Sequence, residues 1–256
     1  MKKVKISVIP YLNASPFVYG LKRSEVFDYI DLQYNTPAEC AVRLLSKDAD
    51  IGIVPSAAVP SIPDKQIISD YCIGASESVR SVVICSSQPV SEIKTLYLDF
   101  ESRTSVLLAQ LLLDEYWKIK ITPVPLNSLD DINPHRKDAA YVLIGDKVFD
   151  YENQFEYKSD LARAWKDFTG LPFVFAAWTA VTPLTDDFVA MFNRALSTGL
   201  ANIPAAVNEH KHSLDYREAI KYLTENIDYN FDFAKHKALV EFWNMVLRLK
   251  SKYRSC

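Results

Sequence analysis

The chain has 256 residues, 49% of them hydrophobic and 24% charged, with 29 Lys and Arg against 32 Asp and Glu for a net charge of −3. That length allows one large domain or two smaller lobes, with core enough to need no staple of disulfides or metal. The charge balance excludes the basic footprint of a nucleic-acid binder and the polybasic anchor of a membrane-surface protein.

The start, Met1-Lys2-Lys3-Val4, carries charge as a secretory signal does, but Pro10, Asn13 and Pro16 interrupt any apolar run. The expectation is a cytoplasmic protein with no signal segment and no spanning helix. Val4 to Ile9 alternates apolar and polar residues and predicts a strand. Pro16 to Leu21 predicts a short helix, and Ile30 to Tyr34 a second strand. Thr36-Pro37 opens a helix, with Thr36 as N-cap and Pro37 in the first turn. Asp50 to Pro55 is a short buried strand closed by proline. The order β-α-β-α-β implies a parallel sheet.

About 90 residues later the order returns. Thr95 to Leu98 is a strand, Ser102 to Tyr116 a leucine-rich helix capped by Ser102 or Thr104, and Ile119 to Val124 and Asp138 to Ile144 are strands. Lys47-Asp48-Ala49 and Lys137-Asp138-Ala139 precede corresponding strands. This topological echo predicts two lobes of one βαβ type. Cys72 to Ser87 and Pro172 to Val181 are long extended runs, expected to join the lobes as a two-stranded hinge. Residues 1–88 and 185–256 are expected to form lobe I, and residues 89–184 lobe II. Asp186 to Cys256 is helical, with an apolar stripe of Leu239, Phe242, Trp243, Val246 and Leu249.

The glycines exclude much chemistry. There are six, and the nearest pair, Gly52 and Gly74, is 22 residues apart. A phosphate-cradling loop and a dinucleotide fingerprint both need clustered glycines. The cysteines (Cys40, Cys72, Cys85, Cys256) form no Cys-x-x-Cys pair, which predicts four free thiols in a reducing compartment and no metal site. His135, His210, His212 and His236 lie outside the strand-end loops, and no Ser-His-Asp constellation is present.

Ligands of open α/β sheets sit at the carboxyl ends of strands. That rule selects Tyr11 to Pro16, Pro55-Ser56-Ala57, Asp99 to Ser105 and Gly145-Asp146. Ser102-Arg103-Thr104-Ser105 opens a helix, where free N–H groups and hydroxyls bind a carboxylate, or where one hydroxyl simply caps the helix. Ser78-Val79-Arg80-Ser81 is expected on a strand, with Ser78 and Arg80 on one face. Asp99 and Asp146 both follow strands; either is a base or a loop-orienting group, and Asp146 is the stronger site candidate. These residues describe a binder of a small anion, and leave enzyme or binding module open.

The ordered motifs resemble the chorismate dehydratases of the futalosine pathway of menaquinone biosynthesis. They are Tyr11-Leu12-Asn13 with Pro16, Asp50-Ile51-Gly52 with Pro55-Ser56, Ser78 to Val82, Leu98-Asp99 with Ser102 to Ser105, Ile144-Gly145-Asp146, Asp160-Leu161 with Trp165, and Thr169 to Trp178. They span about 170 residues. Glu77 departs from the family pattern, where glycine is common. The resemblance implies an α/β, two-lobe, periplasmic-binding-protein type II-like fold used inside the cell. It also implies a hydro-lyase that removes water from chorismate to give 3-[(1-carboxyvinyl)oxy]benzoate, with no cofactor or metal. The site residues it implies are Asn13, Ser81 and Asp146 for catalysis, and Tyr11, Ser56, Ser78, Arg80, Ser102, Arg103, Thr104, Ser105 and Phe175 for substrate. The substrate's own side-chain carboxylate is a candidate base. The sister cyclase of the pathway and a non-catalytic small-anion binder are the alternatives. Chorismate is the expected partner; nucleic acid and membrane are not.

Overall fold

The computed structural model describes residues 3–254. Met1 and Lys2 of the charged start, and Cys256 of the expected thiols, lie outside the described residues. Two compact units divide the chain: residues 1–74 with 174–232, and residues 75–173 with 233–256.

The first unit is built on a six-stranded sheet. Strands β1 (Val4–Val8), β2 (Ile30–Tyr34) and β3 (Ile51–Pro55) follow the alternation and the buried run in the sequence. Helix α1 (Ser15–Lys22) connects the first two, and α2 (Pro37–Leu45) the second and third. Thr36 Oγ1 accepts the Glu39 N–H while the Glu39 carboxylate accepts that of Thr36, a reciprocal cap; losing such a cap costs about 1 kcal/mol. Next in the chain come β4 (Gln66–Ala75), β5 (Val82–Ser86), β6 (Thr95–Leu98), α3 (Arg103–Leu111), β7 (Thr122–Pro125) and β8 (Ala139–Ile144). They are followed by α4 (Lys147–Tyr151), β9 (Tyr157–Asp160), α5 (Leu161–Thr169) and β10 (Phe173–Ala180). The last elements are α6 (Asp186–Leu200), α7 (Ile203–Glu209), α8 (Tyr216–Lys221), β11 (Asp228–Asn230) and α9 (Phe233–Arg254).

The strand order of the first sheet is β11-β4-β10-β3-β1-β2, and that of the second is β7-β6-β8-β5-β9. In the first, β1 lies parallel to β2 and β3, and β10 runs antiparallel to β3. In the second, β6 lies parallel to β7 and β8, and β5 runs antiparallel to β8. The 90-residue echo is therefore present in three dimensions: β2-β1-β3-β10 repeats as β7-β6-β8-β5. The expectation of parallel sheets is corrected, because each trio of parallel strands is joined by an antiparallel fourth.

In the first unit α1 and α6 pack backbone to backbone. A Cβ on Gly199 would fall 1.8 Å from Pro16 O, and one on Gly20 2.0 Å from Ala195 O, so only glycine fits at this crossing. In the second unit α9 buries Leu239, Phe242, Val246 and Leu249. Phe242 meets Trp165 and Phe173 edge-on at 6.1 and 5.0 Å. Burying one such ring stabilises by roughly 1.5–3 kcal/mol.

These contacts move the expected domain boundaries. Val82–Ser86 pairs with β8 and β9, so it belongs to the second sheet and not to residues 1–88 as a lobe. The C-terminal helix follows its aromatic contacts into the second unit, and β10 follows its pairing with β3 into the first. The chain crosses between units three times, not twice.

The helix predicted over Ser102 to Tyr116 ends at Leu111 and continues as a π-turn over Leu112–Tyr116. The strand predicted over Ile119 to Val124 is shifted to Thr122–Pro125. Burial pushes the Cys40 thiol up to about 11 and the Cys85 thiol up to about 12. Neither is a nucleophile near neutral pH. Iodoacetamide at pH 8 is expected to leave both unmodified in the native protein and to alkylate both in urea, read peptide by peptide by mass spectrometry.

Candidate active site

The sequence-selected residues collect in two sets, one at the strand ends of each sheet. In the first unit the chain leaves β1 through a tight turn, with Ala14 N–H donating to Tyr11 O at 2.9 Å. Leu12 and Ala14 are buried on either side of Asn13, which is 7% exposed. The Tyr229 hydroxyl donates to Asn13 O at 2.9 Å. Burial holds that phenol well above the usual tyrosine range, so it stays a donor. The Asn13 backbone is thus fixed from 216 residues away, while its Oδ1 is buried with no hydrogen-bond partner among the described residues.

Ser56 lies at the end of β3, against the start of β10. Its N–H donates to Phe175 O at 2.9 Å and its hydroxyl to Val174 O at 2.6 Å. Ser56 thereby locks the two strands, a role the sequence did not suggest. Tyr11 and Ser15 line a pocket of about 90 Å³ with Tyr19, Tyr34 and His210. His210 Nε2 lies 3.0 Å from Pro10 O. The fold therefore brings a histidine to the first strand-end loop, although none lies in that loop in sequence.

In the second unit, the ends of β6, β8 and β9 and the start of β5 share one edge. The strand expected over Ser78 to Ser81 is instead a turn. Arg80 has φ +65°, and Ser81 N–H donates back to Val79 O at 2.8 Å. This is a γ-turn with the rare positive φ at its centre, a strained form. The cause is Asp160, whose carboxylate accepts the N–H groups of Val79 (3.2 Å), Arg80 (2.7 Å), Ala162 (3.0 Å) and Arg163 (3.0 Å). Burial pushes its carboxyl above the ordinary range, against the pull of those four donors. Two of those bonds hold the segment itself and overrule its strand preference, so Ser78 and Arg80 share no strand face. The departure at Glu77 has no conformational cost, because the left-handed residue of this turn is Arg80; Glu77 is exposed and pairs with Arg163 at 3.2 Å.

The Arg80 guanidinium lies 5.2 Å over the Phe149 ring and 3.2 Å from Glu152. Ser81 is fully buried, and its carbonyl accepts the Gly145 N–H at 2.9 Å. Gly145, at φ +63°, turns the chain into Asp146, which is half-buried and starts α4.

At the end of β6, Ser102 is the cap of α3: its hydroxyl accepts the Ser105 N–H at 3.0 Å. Thr104 and Ser105 are buried beside it, and Arg103 is exposed. Since Ser102 does the capping, the Ser105 hydroxyl is not needed for it. Between these loops the sequence missed Lys147. Its ammonium sits 2.7 Å from Asp99 and 2.6 Å from Glu101, and 4.8 Å over the Phe100 ring. Burial pushes the Asp99 carboxyl up, and the Lys147 charge opposes it. Lys147 ties the loop after β6 to the one after β8, and makes Asp99 a loop anchor.

These two hydroxyl- and amide-rich strand ends sit on a two-unit α/β chain whose fold is periplasmic-binding-protein-like. An Archaeoglobus fulgidus protein superposes with a TM-score of 0.75 at 15% identity, over 97% of this chain and 98% of that one. An ABC transporter protein from Parabacteroides distasonis gives 0.68 at 16%, over 98% and 94%. A Candida albicans protein described as having the generic periplasmic binding protein fold gives 0.68 at 14%, over 97% and 90%. The chain belongs to the menaquinone biosynthesis family, whose sequence profile matches residues 4–247, and its role is in menaquinone biosynthesis. No helix among the described residues is long and apolar enough to cross a membrane.

Proposed function

We propose that the protein is a cytoplasmic chorismate dehydratase of the futalosine route. Chorismate loses its ring hydroxyl and the hydrogen on the ether-bearing carbon beside it. The C–H electron pair becomes the new ring double bond, the C–O bond breaks, and hydroxide leaves as water with a proton. The product is 3-[(1-carboxyvinyl)oxy]benzoate, and aromatisation supplies the driving force. The protein's task is positioning and electrostatics. Ser81, Thr104 and Ser105 take carboxylate at the N-terminus of α3. Asn13 holds the departing hydroxyl. The substrate's own side-chain carboxylate is the proposed base.

The observation that supports this reading most is the Asn13 Oδ1 atom, buried without a hydrogen bond in a backbone fixed from both sides. A buried unsatisfied polar atom needs a reason, and a substrate donor is one. Purified protein mixed with chorismate should give an aromatic product lighter by one water, about 18 mass units, followed by absorbance and mass spectrometry. Bound but unconverted chorismate would instead mark a binding protein, the reading favoured by the ligand-binding relatives of the fold. Conversion of dehypoxanthine futalosine alone would mark the sister cyclase. Ser105→Ala is expected to raise KM or lower turnover at least about tenfold, since one hydrogen bond to a charged group is worth roughly 1.5–3 kcal/mol. The α3 cap on Ser102 survives that change, so thermal stability should hold; unchanged kinetics would remove Ser105 from the site.

A further inference from the structure

The second unit has a pocket of about 820 Å³, far larger than the one beside Tyr11 and within the size range of small-molecule sites. It lies away from the hydroxyl cluster at the α3 N-terminus. Its walls are the C-terminal half of α3, the chain entering β7, the paired residues Leu96 and Pro123, and the last turns of α9. Leu107, Leu113, Ile119, Ile121 and Leu249 make it apolar.

Two features set this pocket apart from a packing defect. The first is the π-turn that ends α3: Trp117 N–H donates to Leu112 O and Ile119 N–H to Leu113 O, both at 2.8 Å. It places Leu113 and Asp114 in the pocket wall, and π-turns concentrate at functional sites. The second is charge. Lys120, Lys250 and Lys252 line the pocket against one carboxylate, Asp114. Lys252 is spent on Asp114, with Nζ 2.7 Å from both of its oxygens. Lys120 and Lys250 have no ion-pair or hydrogen-bond partner among the described residues, and they come from different segments.

We propose that this pocket binds a small amphiphilic anion, a medium-chain alkyl carboxylate, with its chain against Leu107, Leu113 and Ile121 and its head between Lys120 and Lys250. An apolar wall with two uncompensated ammonium groups complements that chemistry and rejects its cationic analogue. The site is independent of the chorismate reading.

The test titrates the full chain with 1-anilinonaphthalene-8-sulfonate, an apolar anion that fluoresces on burial, and displaces it with decanoate or decylammonium. Saturable binding is expected, with decanoate displacing the dye at least about tenfold more effectively than decylammonium. The double variant Lys120→Glu, Lys250→Glu should weaken decanoate at least about tenfold, because each lysine gives the carboxylate one charge-assisted hydrogen bond. Leu107→Trp, which fills the pocket, should abolish dye binding; Ile121→Trp does the same from the other wall if the first variant folds poorly. Turnover of chorismate should be unchanged in each. Absence of saturable dye binding overturns the proposal, as does equal displacement by decylammonium or full binding in both tryptophan variants. A wild-type dimer that Leu107→Trp converts to monomer, with no dye bound by either, would overturn it too and assign the face to a second copy.

Discussion

Asn13→Ala is expected to lower the turnover of chorismate by roughly 10²–10³-fold, the loss found when a polar contact made mainly in the transition state is removed. Its thermal midpoint should stay near wild type. The turn that carries Asn13 is held by main-chain atoms: Ala14 N–H on Tyr11 O, and the Tyr229 hydroxyl on Asn13 O. The side-chain oxygen contributes no bond to that turn. Removing an unsatisfied buried acceptor releases a desolvation cost, which offsets part of the lost packing. A lower midpoint with normal turnover would make Asn13 a turn residue.

The largest loss of stability is expected at Asp160. Asp160→Ala removes the acceptor of four backbone N–H groups in a buried place. With each such bond worth up to roughly 1.5–3 kcal/mol and water replacing part of them, a net loss of about 3 kcal/mol follows. For a chain of this size that is a fall of about 6–12 °C in the midpoint. Asp160→Asn keeps one acceptor oxygen and should fall between. Kinetics should suffer too, because the γ-turn at Arg80 depends on this carboxylate. Urea titration read by circular dichroism checks the prediction, and a wild-type midpoint in the alanine variant would sink it.

Local signals made much of the fold legible. Thr36-Pro37 with Glu39 three residues after the cap is a complete helix start, and the structure uses all of it. The alternation of Ile30 to Tyr34 gave a strand with those same ends. What the sequence hid was decided at long range. Ser78 to Val83 has the composition of a strand, yet a carboxylate 80 residues away folds its first half into a turn. Lys147 stands 46 residues from Glu101, and nothing in its neighbourhood announces the pairing. The strand-end rule selects loops that the fold brings to one edge of each sheet, because parallel strands place their ends together. It does not say which side chain in a loop is free for a ligand, and Ser56, fastened to Val174, shows the difference.

The interleaved chain order has a consequence for synthesis on the ribosome. Strand β10 lies between β3 and β4, yet Phe173 emerges 118 residues after Pro55. Until then the nascent first sheet carries an open edge on β3, with unpaired N–H and C=O groups that recruit other strands. The second sheet meets no such delay, since its five strands run from Val82 to Asp160 without interruption. All five of its strands have therefore emerged by Asp160, before β10 becomes available to the waiting edge of β3. Slow translation between β3 and β10 prolongs the exposure of that edge.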